Sequence, residues 1–152
     1  MAFTSDNDLK PAVIGTLLFL ATLTCLLGFQ SYSKFYLLAI KKKAATKDNK
    51  RVNFKDIKYY NAKDHLALVG DRAVGNTLEW AFHFLVLLWM HNILIDPAQT
   101  LTLATVYCVF RIIYVIFFIL ANKNPTVIFF ATVPMYLVLL YMFFNVSVFA
   151  LN

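Results

Sequence analysis

The sequence predicts an all-α fold: an integral membrane bundle of four helices, one domain over residues 1–152. Three observations predict it. Of the 152 residues 61% are hydrophobic and only 14% charged, against roughly 25% charged in soluble domains. Fifteen Phe and eight Tyr are more apolar surface than a small soluble core can cover, because small domains bury only about two thirds of what the unfolded chain exposes. Finally, apolar runs fall at about 12–40, 66–95, 101–121 and 127–151, each at or above the roughly 20 residues that carry a helix across the hydrocarbon core. Runs of this length without alternating polar positions do not describe a transmembrane barrel.

The net charge of +6 belongs to one place. Nine of the 14 Lys and Arg lie between Lys41 and Lys63, a basic loop (41–63) between the first two spans. Such a loop is the positive-inside signal of a membrane protein and a surface for anionic lipid. No aromatic-interleaved or zinc-finger pattern accompanies it, so nucleic acid is not an expected partner. Cys25 and Cys108, the only cysteines, sit inside apolar runs, which excludes a disulfide framework and a Cys-rich metal site.

Each span has its own punctuation. Pro11 is expected to open the first helix, where its missing N–H is harmless, and Asn61 or Asp64 to cap the second. Asp96-Pro97 stops the second helix, and the turn Asn122 to Pro125 separates the third from the fourth. Pro134 lies inside the fourth span and should kink it or be accommodated by neighbouring backbone. The first two runs exceed a minimal span, so their loop-side ends should project beyond the lipid. Lys34 is expected to snorkel toward the basic loop. Lys123 adds a positive charge to the third connection, while the Asp96 turn has no base. Loops one and three therefore face the cytosol and both termini face the lumen. The first span is expected to serve as its own insertion signal.

Ionisable groups inside spans are costly and are functional candidates for that reason. The second span carries Arg72, Asn76, Glu79 and His83, and the third carries Tyr107, Arg111, Tyr114 and Phe118, both at intervals of four, three and four. On a helix such spacing makes one stripe, so the two helices are expected to bring these groups to a common interior. One reading is structural, with Glu79 neutralising Arg111 or Arg72 and the amide and phenols joining helices. The other is a polar pocket for a zwitterionic or anionic ligand, with arginines for carboxylates, Glu79 for an amine and Asn76 for an amide. Glu79 and His83 are spaced i, i+4 rather than as the Glu-x-x-His of di-iron bundles, so no metal site is expected. Trp80, Trp89 and His91 read as packing or interfacial residues.

The stretch Arg72-Ala73-Val74-Gly75-Asn76-Thr77-Leu78-Glu79 resembles the Arg-x-x-x-Asn-x-x-Glu signature of the MAPEG superfamily, the microsomal glutathione transferases and eicosanoid synthases. Phe110-Arg111-Ile112-Ile113-Tyr114 looks like that family's second landmark. The resemblance implies a homotrimer in the endoplasmic reticulum, with glutathione between neighbouring subunits near the cytosolic end and an electrophilic lipid arriving from the bilayer. By position, Arg72, Asn76 and Glu79 would hold the glutathione peptide, with Arg111 and Tyr114 beside it. The family's chemistry is thiolate activation, in which a nearby cation lowers the thiol pKa. The sequence departs from the pattern at three places, one of them a late helix-one arginine of some members, which is missing here with Ala39 or Lys41 nearby. A helix-three tyrosine of the family falls on Phe118, and the thiolate-stabilising arginine of catalytic members falls on Leu120 or Val127. Arg111 and Lys123 are then the catalytic candidates. The resemblance implies a glutathione-dependent transferase or peroxidase for lipophilic electrophiles. The alternative is a non-catalytic scaffold of the same family or an accessory subunit of a larger membrane complex.

Overall fold

With no water in the hydrocarbon core to satisfy exposed backbone groups, long apolar segments fold as helices that bond internally. A computed structural model of the protein describes residues 6–45, Val52, Ile57, 64–121 and 125–152. Within them lie four helices, α1 (Asp6–Ala45), α2 (His65–Leu94), α3 (Pro97–Ala121) and α4 (Pro125–Leu151). Each is long and apolar enough to cross a membrane, and no strand occurs among the described residues.

The helix ends follow local chemistry, with some differences from the sequence expectation. Asp64 caps α2, accepting a hydrogen bond from the Ala67 N–H at 3.1 Å; Asn61 lies outside the described residues. Asp96-Pro97 starts a helix as well as stopping one. The Asp96 carboxylate accepts from the Ala98 N–H at 2.8 Å, and Pro97 takes the first helical position, where a missing donor costs nothing. Pro11 does not open α1, which begins at Asp6 and carries the proline in its second turn. Ahead of it Asp8 adds negative charge to the first turn, where the helix dipole favours it. At its other end α1 runs on to Ala45, so Lys41, Lys42 and Lys43 ride on a helix rather than in a loop. Lys and Ala are strong helix formers, and cations suit a helix C-terminus. The helix α4 runs through Pro134 from Pro125 to Leu151.

Packing places α2 and α3 at the centre. Both touch α1 and α4, while α1 and α4 make no contact with each other among the described residues. The core between them is aromatic, with Phe84 of α2 stacked on Tyr107 of α3 at 4.1 Å between centroids and 8° between planes. Phe19 of α1 closes on Phe84 at 5.1 Å. Hydroxyls inside the spans are satisfied locally, as where Thr22 and Thr77 each donate to the carbonyl four residues back, a habit that lets Thr live in an apolar helix.

Two glycines set the helix spacing. A Cβ on Gly15 would stand 3.0 Å from the Ala104 Cβ, and one on Gly70 would stand 3.0 Å from both the backbone Cα of Gln30 and the Ser33 Oγ. Small residues allow such close approach where dispersion between backbones holds helices together in lipid. Gly70→Ala is expected to destabilise the bundle by about 1–3 kcal/mol, the usual cost of overpacking. Gly28→Ala, where nothing lies within 4 Å of the added carbon, is the matched control. Thermal unfolding midpoints in one detergent test the pair, and equal midpoints would contradict the close-approach reading.

Polar contacts define the two ends. At one end Asn92 of α2 donates to the Asp8 carbonyl of α1, His91 meets Thr100 of α3, and Asn145 of α4 meets His91. The other end joins Gln30 and Lys34 of α1 to Asp71 of α2 and His65 of α2 to the Phe118 carbonyl of α3. The helices therefore alternate in direction. The second of these ends is the one from which Lys41, Lys42 and Lys43 extend.

Candidate functional site

The stripe of α2 divides when α3 packs beside it. Asn76 turns toward α3, where its Oδ1 accepts a hydrogen bond from the Arg111 guanidinium. Arg111 also donates to the Tyr107 hydroxyl and lies over that ring, 4.8 Å from its centroid, an arrangement that adds a cation–π attraction. The guanidinium is buried, 2% exposed. Among the described residues no carboxylate forms a salt bridge with it, and its Nε has no partner. A buried charge without a counter-charge is costly, and Arg111 carries one that no described carboxylate pairs directly.

In front of this buried group lies a cleft of about 120 Å³ lined by Asp71, Arg72, Asn76 and Glu79 of α2 and Tyr114 of α3, with Leu68 and Gly75 completing the wall. Arg72 and Glu79 are exposed, and Tyr114 is buried. No ion pair joins Glu79 to Arg72 or Arg111 among the described residues. The purely structural reading of these charges, in which Glu79 neutralises an arginine, therefore has no contact behind it.

The expected gathering in one interior is realised only in part. Arg72, Asn76, Glu79 and Tyr114 share the cleft, and Arg111 and Tyr107 stand behind it through Asn76. His83 does not join them. It is exposed and lies in a separate apolar groove of about 560 Å³ between α2 and α4, with Trp80, Leu87 and Tyr136 among its neighbours. The rings of Trp80 and Phe82 flank it at 5.4 and 6.0 Å. Phe118 rests edge-on against Tyr114 at 5.7 Å. Lys123 lies outside the described residues.

Sequence reasoning missed one member of the wall. Asp71 lines the cleft, and Lys34 does not snorkel away but pairs with it at 2.6 Å. Gln30, one turn before Lys34, donates to the same carboxylate oxygen at 2.7 Å. The signal was present, since Gln30 and Lys34 are spaced i, i+4 on one face of α1 and Asp71 is the other acid within the second apolar run. What it lacked was the knowledge that this face of α1 meets this face of α2. His91, read as a packing or interfacial residue, is buried with Asn92 and Thr100, each at most 1% exposed, at the opposite end of the bundle; the joining of these three was not foreseen.

Four membrane-length helices, a buried arginine on α3 and an Arg-x-x-x-Asn-x-x-Glu cleft on α2 coincide with a match to the family model described as MAPEG family, over residues 13–148. The chain belongs to the MAPEG family. The match reaches into all four helices and spans α2 and α3 completely, so both the cleft and its backing arginine lie within the MAPEG unit. No curated protein and no solved structure gives a significant match. MAPEG membership makes a glutathione-related transferase or eicosanoid-type protein the setting in which the cleft is to be read, without fixing the activity.

Proposed function

We propose that this MAPEG protein binds glutathione in the α2–α3 cleft and joins its thiol sulfur to lipophilic electrophiles, or reduces lipid hydroperoxides to alcohol and water as two glutathiones are oxidised to the disulfide. The observation that carries the reading is the union, in one cleft, of Arg72, Asn76, Glu79 and Tyr114 in front of the buried Arg111. Glutathione is a zwitterionic peptide with two carboxylates, an ammonium and amides. A guanidinium matches a carboxylate bidentately, and an amide side chain matches a peptide. The Arg111 charge, acting through a poorly screened apolar interior, and Lys123 in the third connection are the cations that favour the thiolate. In conjugation the thiol proton leaves to solvent. The sulfur lone pair forms the carbon–sulfur bond, and the electrophile's leaving group departs with the bonding electrons. The apolar groove beside Trp80 and His83 continues one to two turns further along α2, where an acyl chain can lie.

One chain supplies only part of such a site. The cleft's 120 Å³ falls short of the roughly 300 Å³ at which ligand pockets begin, and exposed Arg72, Glu79 and His83 are poor faces to offer to lipid. Both facts support a homo-oligomer, a trimer on the family pattern, in which a neighbouring copy covers this face of α2. The basic end of the bundle would then face the cytosol, both termini the lumen, and the membrane would be that of the endoplasmic reticulum.

The test is a glutathione titration on the detergent-solubilised protein, followed by absorbance of the bound thiolate and by a conjugation assay. Arg72→Ala is expected to weaken binding by about ten- to a hundredfold, the worth of a charge-assisted hydrogen bond, and to abolish conjugation. Saturable binding with no turnover would instead support the non-catalytic family member. The apolar residue, Leu120 or Val127, on which the family's thiolate-stabilising arginine falls favours that second reading. Copurification with other subunits in mild detergent would then be expected.

A further inference from the structure

The Asp71 carboxylate is held from behind and open in front. Lys34 and Gln30 both bond its Oδ1, at 2.6 and 2.7 Å, and no described residue bonds its Oδ2. A carboxylate accepts about four hydrogen bonds, so two remain. The side chain is 23% exposed, and the space it borders is the cleft. Glu79, the other acid of the wall, is exposed and has no partner that fixes its rotamer. A group already locked in place loses less freedom when a ligand arrives.

We propose that Asp71 is the carboxylate that selects the ammonium group of the ligand, with Lys34 and Gln30 as its positioning residues. The inference deepens the glutathione reading and rests on it. It also revises the sequence expectation that Glu79 meets the amine. Charge supports it. Around the cleft stand Lys34, Arg72 and Arg111 against Asp71 and Glu79, three positive and two negative, a balance of one positive. Glutathione with its thiol protonated carries two carboxylates and one ammonium, a balance of one negative. The ligand therefore neutralises the site as a whole. Asp71 gives the ammonium a defined seat away from the arginines that take the carboxylates.

The experiment compares glutathione with its desamino analogue, in which hydrogen replaces the γ-glutamyl ammonium, by titration of the purified full-length protein in detergent. The native protein is expected to prefer glutathione by about tenfold or more, the worth of one charge-assisted hydrogen bond. Asp71→Asn is expected to abolish the preference for glutathione, while the dianionic analogue binds at least as tightly as to the native protein because the site gains one positive charge. Asp71→Glu is expected to keep part of the preference. Saturable analogue binding also reports that the variants fold. Retention of the full preference in Asp71→Asn, or its loss in Glu79→Gln instead, overturns the assignment to Asp71 while leaving the glutathione reading intact. Equal affinity of the native protein for the two ligands overturns it without any variant. Failure of the native protein to bind glutathione at all overturns both.

Discussion

Arg111→Met combined with Tyr107→Phe is expected to leave the bundle at least as heat-stable as the native chain while lowering glutathione affinity by about tenfold, the worth of one hydrogen bond from an Asn76 no longer held in place and of the charge behind it. The stability half follows from burial. Arg111 is 2% exposed, its Nε has no partner, and no described carboxylate answers its charge. Replacing buried ionic groups by apolar side chains of similar volume is often neutral or stabilising, whereas removing one partner alone leaves the other stranded. That is why Tyr107, fully buried and bonded to Arg111, must change with it. The affinity half follows because Asn76 loses the donor that orients it and the cleft loses the positive field behind it. Arg111→Lys separates the two contributions. It keeps the charge but not the planar fork that reaches Asn76 and Tyr107 together, so an intermediate affinity is expected. A thermal midpoint several degrees lower in the double variant would show that the guanidinium holds the bundle together. Unchanged affinity would remove Arg111 from the site.

His91→Ala is expected to cost about 2–4 kcal/mol of stability, combining a buried cavity with stranded polar groups, and to leave glutathione affinity unchanged. The hydrogen-bond directions assign His91 as the neutral tautomer with its proton on Nδ1. The Thr100 hydroxyl donates to the Asp96 carbonyl at 2.7 Å. Its oxygen is therefore the acceptor for His91 Nδ1–H at 2.8 Å, and His91 Nε2 accepts from the Asn145 amide at 3.4 Å. This chain, with Asn92 bonded to the Asp8 carbonyl, pins the start of α1, the end of α2, the start of α3 and the last turns of α4 in one place. Asn92→Ala should cost about 1–3 kcal/mol by the same reasoning. Thermal midpoints compared at one detergent and one heating rate, beside a glutathione titration, check both variants. A changed affinity with an unchanged midpoint would move this group from a structural to a functional role.

The four helices could be read from the chain because length and apolarity leave a membrane segment almost no other choice. The motif residues on α2 and α3 were legible for a similar reason, since a helix fixes the spacing of side chains along its own surface. The punctuation was legible at Asp64 and only half legible at Asp96-Pro97, where one cap serves two helices. The Pro11 expectation failed because a favourable start at Asp6, five residues earlier, outweighs one missing hydrogen bond in the second turn.

What periodicity gives is the angle between residues on one helix, and not the direction in which the stripe faces. At 100° per residue, Asn76 lies about 40° round from Arg72 on one side and Glu79 about 20° on the other. That spread of roughly 60° is enough to send Asn76 to a buried arginine and to leave Arg72, Glu79 and His83 outside. Which way the stripe turns is decided by neighbours, by Gly70 seated on Gln30 and by Phe84 stacked on Tyr107. Those contacts join residues 23 to 40 positions apart, and no local pattern encodes them. The sequence by itself determined four membrane helices, their family and the residue types available for binding. Only the tertiary structure decided that Asp71 lines the cleft and His83 does not, because facing is a property of pairs of helices and not of any one.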